Sequence, residues 1–233
     1  MTIQPRLPKP EAMIFDMDGT LFKTETLLIP VHHQVFERLR EEKLYEGETP
    51  PEELMLSCLG MLLEDIWRKV IPDSSEAVHR RADELLLEFE LAGLKTHETE
   101  LYPGVADTLV KLKQRGIRLF VASNGLEHYV KGVAEAHGIA GLFEGLYSAG
   151  QYQTASKTEL VKLLLDRHGV SSAWMVGDRS SDVEAGKQND QTVVGCAYAG
   201  FGHDQELEGS DVLITAFDEL LELYDQAIEE LTF

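Results

Sequence analysis

The chain has 233 residues and carries 41 acids against 21 bases, a formal net charge of −20 at pH 7. That balance argues against a nucleic-acid polymer as partner, which needs clustered Lys and Arg, and against docking on an anionic membrane surface. Hydrophobic residues make up 43% of the chain, enough for an ordinary globular core, and the length suits one large domain or a domain plus a smaller module.

Residues 1–11 are polar and proline-rich, and read as neither a secretory signal nor an anchor. Ala12-Met13-Ile14-Phe15 is an apolar run that stops abruptly at Asp16, the pattern of a buried parallel strand. From about residue 24 to residue 99 no strand pattern follows. Residues 31–44, 51–63 and 76–91 show helical apolar spacing instead, which predicts an all-helical block inserted after the first strand. Its two crossings fall near Thr24 and His97. Gly60 interrupts the second helical pattern and reads equally as a substrate-facing loop or a plain helix junction.

Beyond the block, strands and helices alternate. Residues 105–115 form an amphipathic helix opened by Pro103-Gly104 and stopped by Gly116. The run Ile117-Arg118-Leu119-Phe120-Val121-Ala122 reads as a strand, residues 127–137 as a helix, and residues 158–168 as another, each helix followed by Gly. Ala173-Trp174-Met175-Val176 and Thr192-Val193-Val194-Gly195-Cys196 are further strands, with Asp211-Val212-Leu213-Ile214 as a last, edge strand. This alternation predicts an α/β fold with a parallel, doubly wound sheet. Tyr129, Tyr147, Trp174 and Phe201 read as packing residues, and residues 222–230 as the solvated face of a terminal helix. No apolar run reaches the roughly 18 residues of a membrane span. Cys58 and Cys196 form no paired framework, which fits a reducing compartment, so a soluble cytoplasmic protein is expected.

Three strand ends and one helix start carry chemistry. Asp16-Met17-Asp18-Gly19-Thr20-Leu21 places two carboxylates close together where Gly19 permits a sharp turn. Ligands of open α/β sheets bind beyond the carboxyl ends of the strands, and paired carboxylates repel unless a cation or proton lies between them. The pair suits a hard, oxygen-ligated metal such as magnesium, with one acid attacking phosphorus and the other moving a proton. Ser123, followed by Asn124-Gly125, ends the second strand and can donate to a phosphoryl oxygen, although Ser-Asn-Gly is also an ordinary loop. Lys157 opens a helix, where a cation opposes the helix dipole; it either faces an anion or is simply solvated. Gly177-Asp178 ends another strand and Asp182 follows four residues on; both acids are equally readable as favourable charges at a helix start.

Taken together, these residues resemble the haloacid dehalogenase superfamily of phosphotransferases. Asp16-Met17-Asp18-Gly19-Thr20 matches its DxDGT motif, Ser123 the second motif, Lys157 the third, and Gly177-Asp178-Arg179-Ser180-Ser181-Asp182 the GDxxxD motif. Thr158 stands where Pro often follows the motif-three lysine, and Arg179 follows Asp178 as in the Gly-Asp-Arg subset. The chain is similar to the phosphoglycolate phosphatase and β-phosphoglucomutase branch. The resemblance implies a Rossmann-like core at residues 1–23 and 100–233, with an inserted helical cap at residues 24–99. It implies Asp16 as nucleophile and Asp18 as general acid/base. It also implies Ser123, Asn124 and Lys157 around the phosphoryl group, and Asp16, Asp18 (through its carbonyl), Asp178 and Asp182 around Mg2+. The expected activity is a magnesium-dependent phosphatase acting on a small phosphorylated metabolite such as a sugar phosphate, phosphoglycolate or a nucleoside monophosphate. A phosphomutase, a phospho-acceptor signalling domain and a catalytically silent phosphate binder are the competing readings, and either a monomer or a homodimer is compatible with the sequence.

Overall fold

The computed structural model describes residues 7–96, 98–199 and 205–228, with the side chains of Leu63 and Glu64 excepted. The chain opens with β1 (Ala12–Phe15) and then forms α1 (Glu25–Glu41), α2 (Glu52–Leu56), α3 (Leu63–Val70) and α4 (Glu76–Thr96). After α5 (Val105–Gln114) come β2 (Arg118–Ser123), α6 (Glu127–Ala136), a 3-10 turn (Ala140–Leu142), β3 (Gly145–Ser148) and α7 (Ala149–Tyr152). The remainder is α8 (Lys157–His168), β4 (Ala173–Gly177), α9 (Ser180–Gln188), β5 (Thr192–Cys196), β6 (Val212–Ile214) and α10 (Glu219–Gln226).

The strands form one parallel sheet in the order β3-β2-β1-β4-β5-β6. The apolar runs read from the sequence are continuous because the central strands are covered on both faces. Met13, Phe15, Val121, Trp174 and Val176 pack on one face, and Ala12, Ile14, Phe120, Ala122 and Met175 on the other, alternating as a strand requires. Chain progress reverses at the β1–β4 pair, where Phe15 stands beside Val176 on one side and Val121 on the other. Such a switch point opens a crevice at the carboxyl ends of the strands. Asp16 and Asp178 flank that crevice.

The described residues between β1 and α5 contain helices and no strand. α1 starts six residues earlier than the apolar pattern suggested, because Pro30 lies inside it rather than before it. The pattern at 51–63 divides into α2 and the start of α3 at Gly60, whose φ of +86° is left-handed. His97 and Phe201 lie outside the described residues. β3 is an addition to the strands expected from the sequence: four residues starting in Gly and ending in Ser, on the sheet edge beside β2. Tyr147 and Trp174 are buried as packing residues, the indole of Trp174 donating to the Pro8 carbonyl at 2.9 Å. No helix among the described residues is long and apolar enough to cross a membrane.

Candidate active site

β1 delivers Asp16 to the sheet's carboxyl edge, where its backbone N–H still donates to the Val176 carbonyl at 3.0 Å. The side chain is buried. Lys157, the first residue of α8, reaches it: Nζ lies 2.9 Å from Asp16 Oδ1 and 2.6 Å from Asp182 Oδ1. Burial alone would lower the pKa of this ammonium, but Asp16 and then Asp182 hold it above the usual lysine value. The awkward position at a helix start therefore has a physical reason, since the lysine is turned to buried anions rather than to solvent.

Asp182 sits in the first turn of α9 and has both oxygens engaged. Oδ1 accepts from Lys157, and Oδ2 accepts from the Arg179 backbone N–H at 3.0 Å. Gly177 makes room for it, because a Cβ there would stand 2.1 Å from the Asp182 carboxyl carbon. Asp178 Oδ1 accepts from the Thr20 hydroxyl at 3.1 Å. Its Oδ2 is buried without a hydrogen bond among the described residues, with Arg179 Nε 3.4 Å away as an ion-pair partner. Burial, reinforced by Asp16 and Asp182, pushes the Asp178 carboxyl well above the ordinary range. Carboxylate oxygens of Asp16, Asp178 and Asp182 all lie within 4.8 Å of one another.

Asp18 faces the other way, into a cavity. Its Oδ1 accepts from the Thr24 hydroxyl at 2.7 Å and from the Tyr129 hydroxyl. Burial and the neighbouring Asp16 raise its pKa to about 6. The cavity, with about 700 Å³ of empty space counting its mouth, has Asp16, Asp18 and Ser123 in its floor, and Leu28, Met55 and Leu86 among the apolar groups of the helical block that line it. Ser123 Oγ accepts from the Gly125 N–H at 3.1 Å. Asn124 Nδ2 donates to the Gly60 carbonyl at 2.7 Å, so this amide joins the loop after β2 to the helical block.

The structure thus brings Asp16, Lys157, Asp178 and Asp182 into one buried cluster, and places Asp18, Ser123 and Asn124 on the adjoining cavity wall. His32 and His33 are elsewhere: His32 meets the Pro50 carbonyl at 2.7 Å, and His33 pairs with Glu52 at 2.7 Å. Sequence reasoning missed Thr20, Thr24 and Tyr129. Thr20 and Thr24 follow the DxDG turn, and their hydroxyls were the available signal. Tyr129 lies on a helix more than a hundred residues from Asp18 and reads only as core.

The turn itself is tightly filled. Gly19 has φ +76°, and a Cβ there would stand 2.3 Å from Asp178 Oδ2. Gly19→Ala is therefore expected to lose about 1–3 kcal/mol of stability through strain and overpacking, measured by urea denaturation. An unchanged midpoint and slope would contradict this packing. The same bare Cα leaves Asp178 room to approach Asp16, and a donor set of carboxylate oxygens with one oxygen lacking a hydrogen bond fits a hard divalent cation.

Comparison with known proteins agrees with the geometry. The sequence model of the haloacid dehalogenase-like hydrolases matches residues 13–196. The chain is 24% identical over 192 residues to a pyrophosphatase, PpaX, of Listeria monocytogenes, covering 80% of this chain and 83% of the relative. It is 27% identical over 232 residues to a phosphoglycolate phosphatase of Nitrosococcus oceani, covering 95% of this chain and 99% of that one. Among solved structures, CbbY of Rhodobacter sphaeroides in complex with phosphate superposes with a TM-score of 0.77 at 23% identity, over 93% of this chain and 99% of that chain. With a strand order, a carboxylate cluster and a sequence match that all coincide, the chain belongs to the haloacid dehalogenase-like hydrolase family.

Proposed function

We propose that this chain is a magnesium-dependent phosphatase that hydrolyses a small phosphomonoester through an aspartyl phosphate on Asp16. The observation that carries the reading is the pairing of Asp16 with Asp18. One is buried beside the Lys157 ammonium, and the other is held by two hydroxyls on a cavity wall with a pKa of about 6. The first environment suits an ionised nucleophile, and the second a group that gives and takes a proton near neutral pH. The relatives named as phosphatases support the same chemistry.

Asp16 and Asp178, with the Asp18 main-chain carbonyl, would hold Mg2+; when bound it neutralises charge on the phosphoryl oxygens. Asp182, whose oxygens are engaged by Lys157 and Arg179, fixes Lys157. In the first step an Asp16 oxygen attacks phosphorus, the bond to the leaving oxygen breaks, and Asp18 donates its proton to that oxygen. Asp18, now ionised, takes a proton from a water molecule, which attacks the aspartyl phosphate and releases inorganic phosphate with Asp16 restored. Lys157 and Ser123 balance charge on the transferred group, while Tyr129 and Thr24 hold Asp18 in place. Residues 24–99 act as the cap over a core of residues 1–23 and 100–233, excluding bulk water. The largely apolar cavity that opens over Asp16, Asp18 and Ser123 favours a small metabolite as substrate.

Purified protein is expected to hydrolyse p-nitrophenyl phosphate with magnesium and to lose that activity in EDTA. Phosphate binding with no turnover in either condition would point to a silent binder. Sugar-phosphate isomerisation without phosphate release would point to a mutase.

A further inference from the structure

α4 turns one stripe of its surface into the cavity: Asp83, Leu86, Leu87 and Glu90, at the spacing of one helical face. Asp83 accepts from the Trp67 indole N–H. Glu90 has no hydrogen-bond or ion-pair partner among the described residues, although it is partly buried and lines the same cavity as Asp18. Among the described residues no lysine, arginine or histidine lines that cavity, and most of its wall is apolar, Leu28, Met55, Leu59 and Met61 included. Lys157 lies in the buried cluster behind Asp16, committed to two carboxylates. The cationic groups of the site therefore serve the phosphoryl end, and the end that would receive the leaving group presents a carboxyl without a donor.

Resting on the phosphatase reading above, we infer that Glu90 selects the leaving group: an alcohol with an apolar stem bearing a hydroxyl or ammonium donor, and not an acid or a second phosphate. A donor satisfies Glu90 whether or not it is protonated. A carboxylate or phosphate on the leaving group finds no cation in this largely apolar wall to offset its charge, and burial of an anion without a counter-ion is what specificity by exclusion uses. Burial, and then Asp18, raise the Glu90 carboxyl well above its ordinary range, as expected of a group waiting for a donor. This narrows the substrate away from the acids in the names of the two relatives above.

The test compares kcat/KM for O-phosphoethanolamine, glycerol phosphate, phosphoglycolate and pyrophosphate, each divided by that for p-nitrophenyl phosphate. The donor-bearing alcohols are expected to exceed the two acidic substrates by at least about tenfold. In Glu90→Gln the ratio for O-phosphoethanolamine is expected to fall roughly tenfold to a hundredfold, mainly through KM. In Glu90→Lys, phosphoglycolate is expected to become the better substrate. A parent enzyme that prefers phosphoglycolate or pyrophosphate, or a Glu90→Gln ratio equal to the parent's, overturns the inference and leaves the phosphatase reading standing. If p-nitrophenyl phosphate is not hydrolysed with magnesium, the phosphatase reading falls instead. Calorimetric titration of Asp16→Asn protein with the same four compounds then reads the preference without turnover, and tighter binding of the acids overturns it.

Discussion

Asp16→Asn is expected to lose turnover by a factor on the order of 10⁴ or more, with the folded state unharmed. The amide keeps the shape of the carboxylate but cannot form the phosphoenzyme. In stability the change runs the other way. Asp16, Asp178 and Asp182 crowd within 4.8 Å, with Lys157 and Arg179 as their nearby cations. Removing one of three crowded buried acids relieves repulsion, while Lys157 keeps Asp182 at 2.6 Å. Thermal unfolding without magnesium should therefore show a Tm equal to or above the parent's, while p-nitrophenyl phosphate hydrolysis disappears. Activity within about a hundredfold of the parent would remove Asp16 as nucleophile.

Lys157→Met removes the ammonium that lies between Asp16 and Asp182. Three buried carboxylates then share a pocket without it, and breaking a buried ion pair by deleting one partner costs about 3–5 kcal/mol. The pKa of Lys157 is raised in the folded protein, so its contribution is present in full at neutral pH and would fade only as pH rises through that elevated value. The deficit of the variant should accordingly be largest near pH 7 and shrink as pH is lowered, because protonation relieves the stranded acids. Turnover should be lost as well, since the transferred group loses its cation. Urea denaturation at pH 7 and pH 5 measures the first effect, and a loss smaller than about 1 kcal/mol at pH 7 would show that Lys157 is not the counter-ion of this cluster.

How much of this was readable beforehand depended on whether the information was local. β1, β2, β4 and β5 announce themselves as apolar runs because both faces of the sheet are covered. β3 does not: a four-residue edge strand made of Gly, Leu, Tyr and Ser has no run to see. The convergence of Asp16, Asp178 and Lys157 was legible because parallel strands place their carboxyl ends on one rim, so position along the strand stands in for position in space. Asp182 was visible by its spacing from Asp178, but its grip on Lys157 was not, since that needs the register of α8 against α9. Tyr129 and Glu90 were invisible as site residues for the same reason. Each lies on an amphipathic helix where an aromatic or an acid is ordinary, and only the packing of α4 and α6 over the crevice brings them to the cavity.

The bond from the Asn124 amide to the Gly60 carbonyl has a consequence for the rhythm of turnover. It is a latch made of two uncharged groups, so opening it exchanges one neutral contact for hydration at a net expense of only about 0.5–1.5 kcal/mol. Under the phosphatase reading, breaking it would free the loop at the left-handed Gly60, between two short helices, without touching the carboxylate cluster beneath. Loosening beside the cavity and preservation of the charged cluster would then fall to separate parts of the molecule.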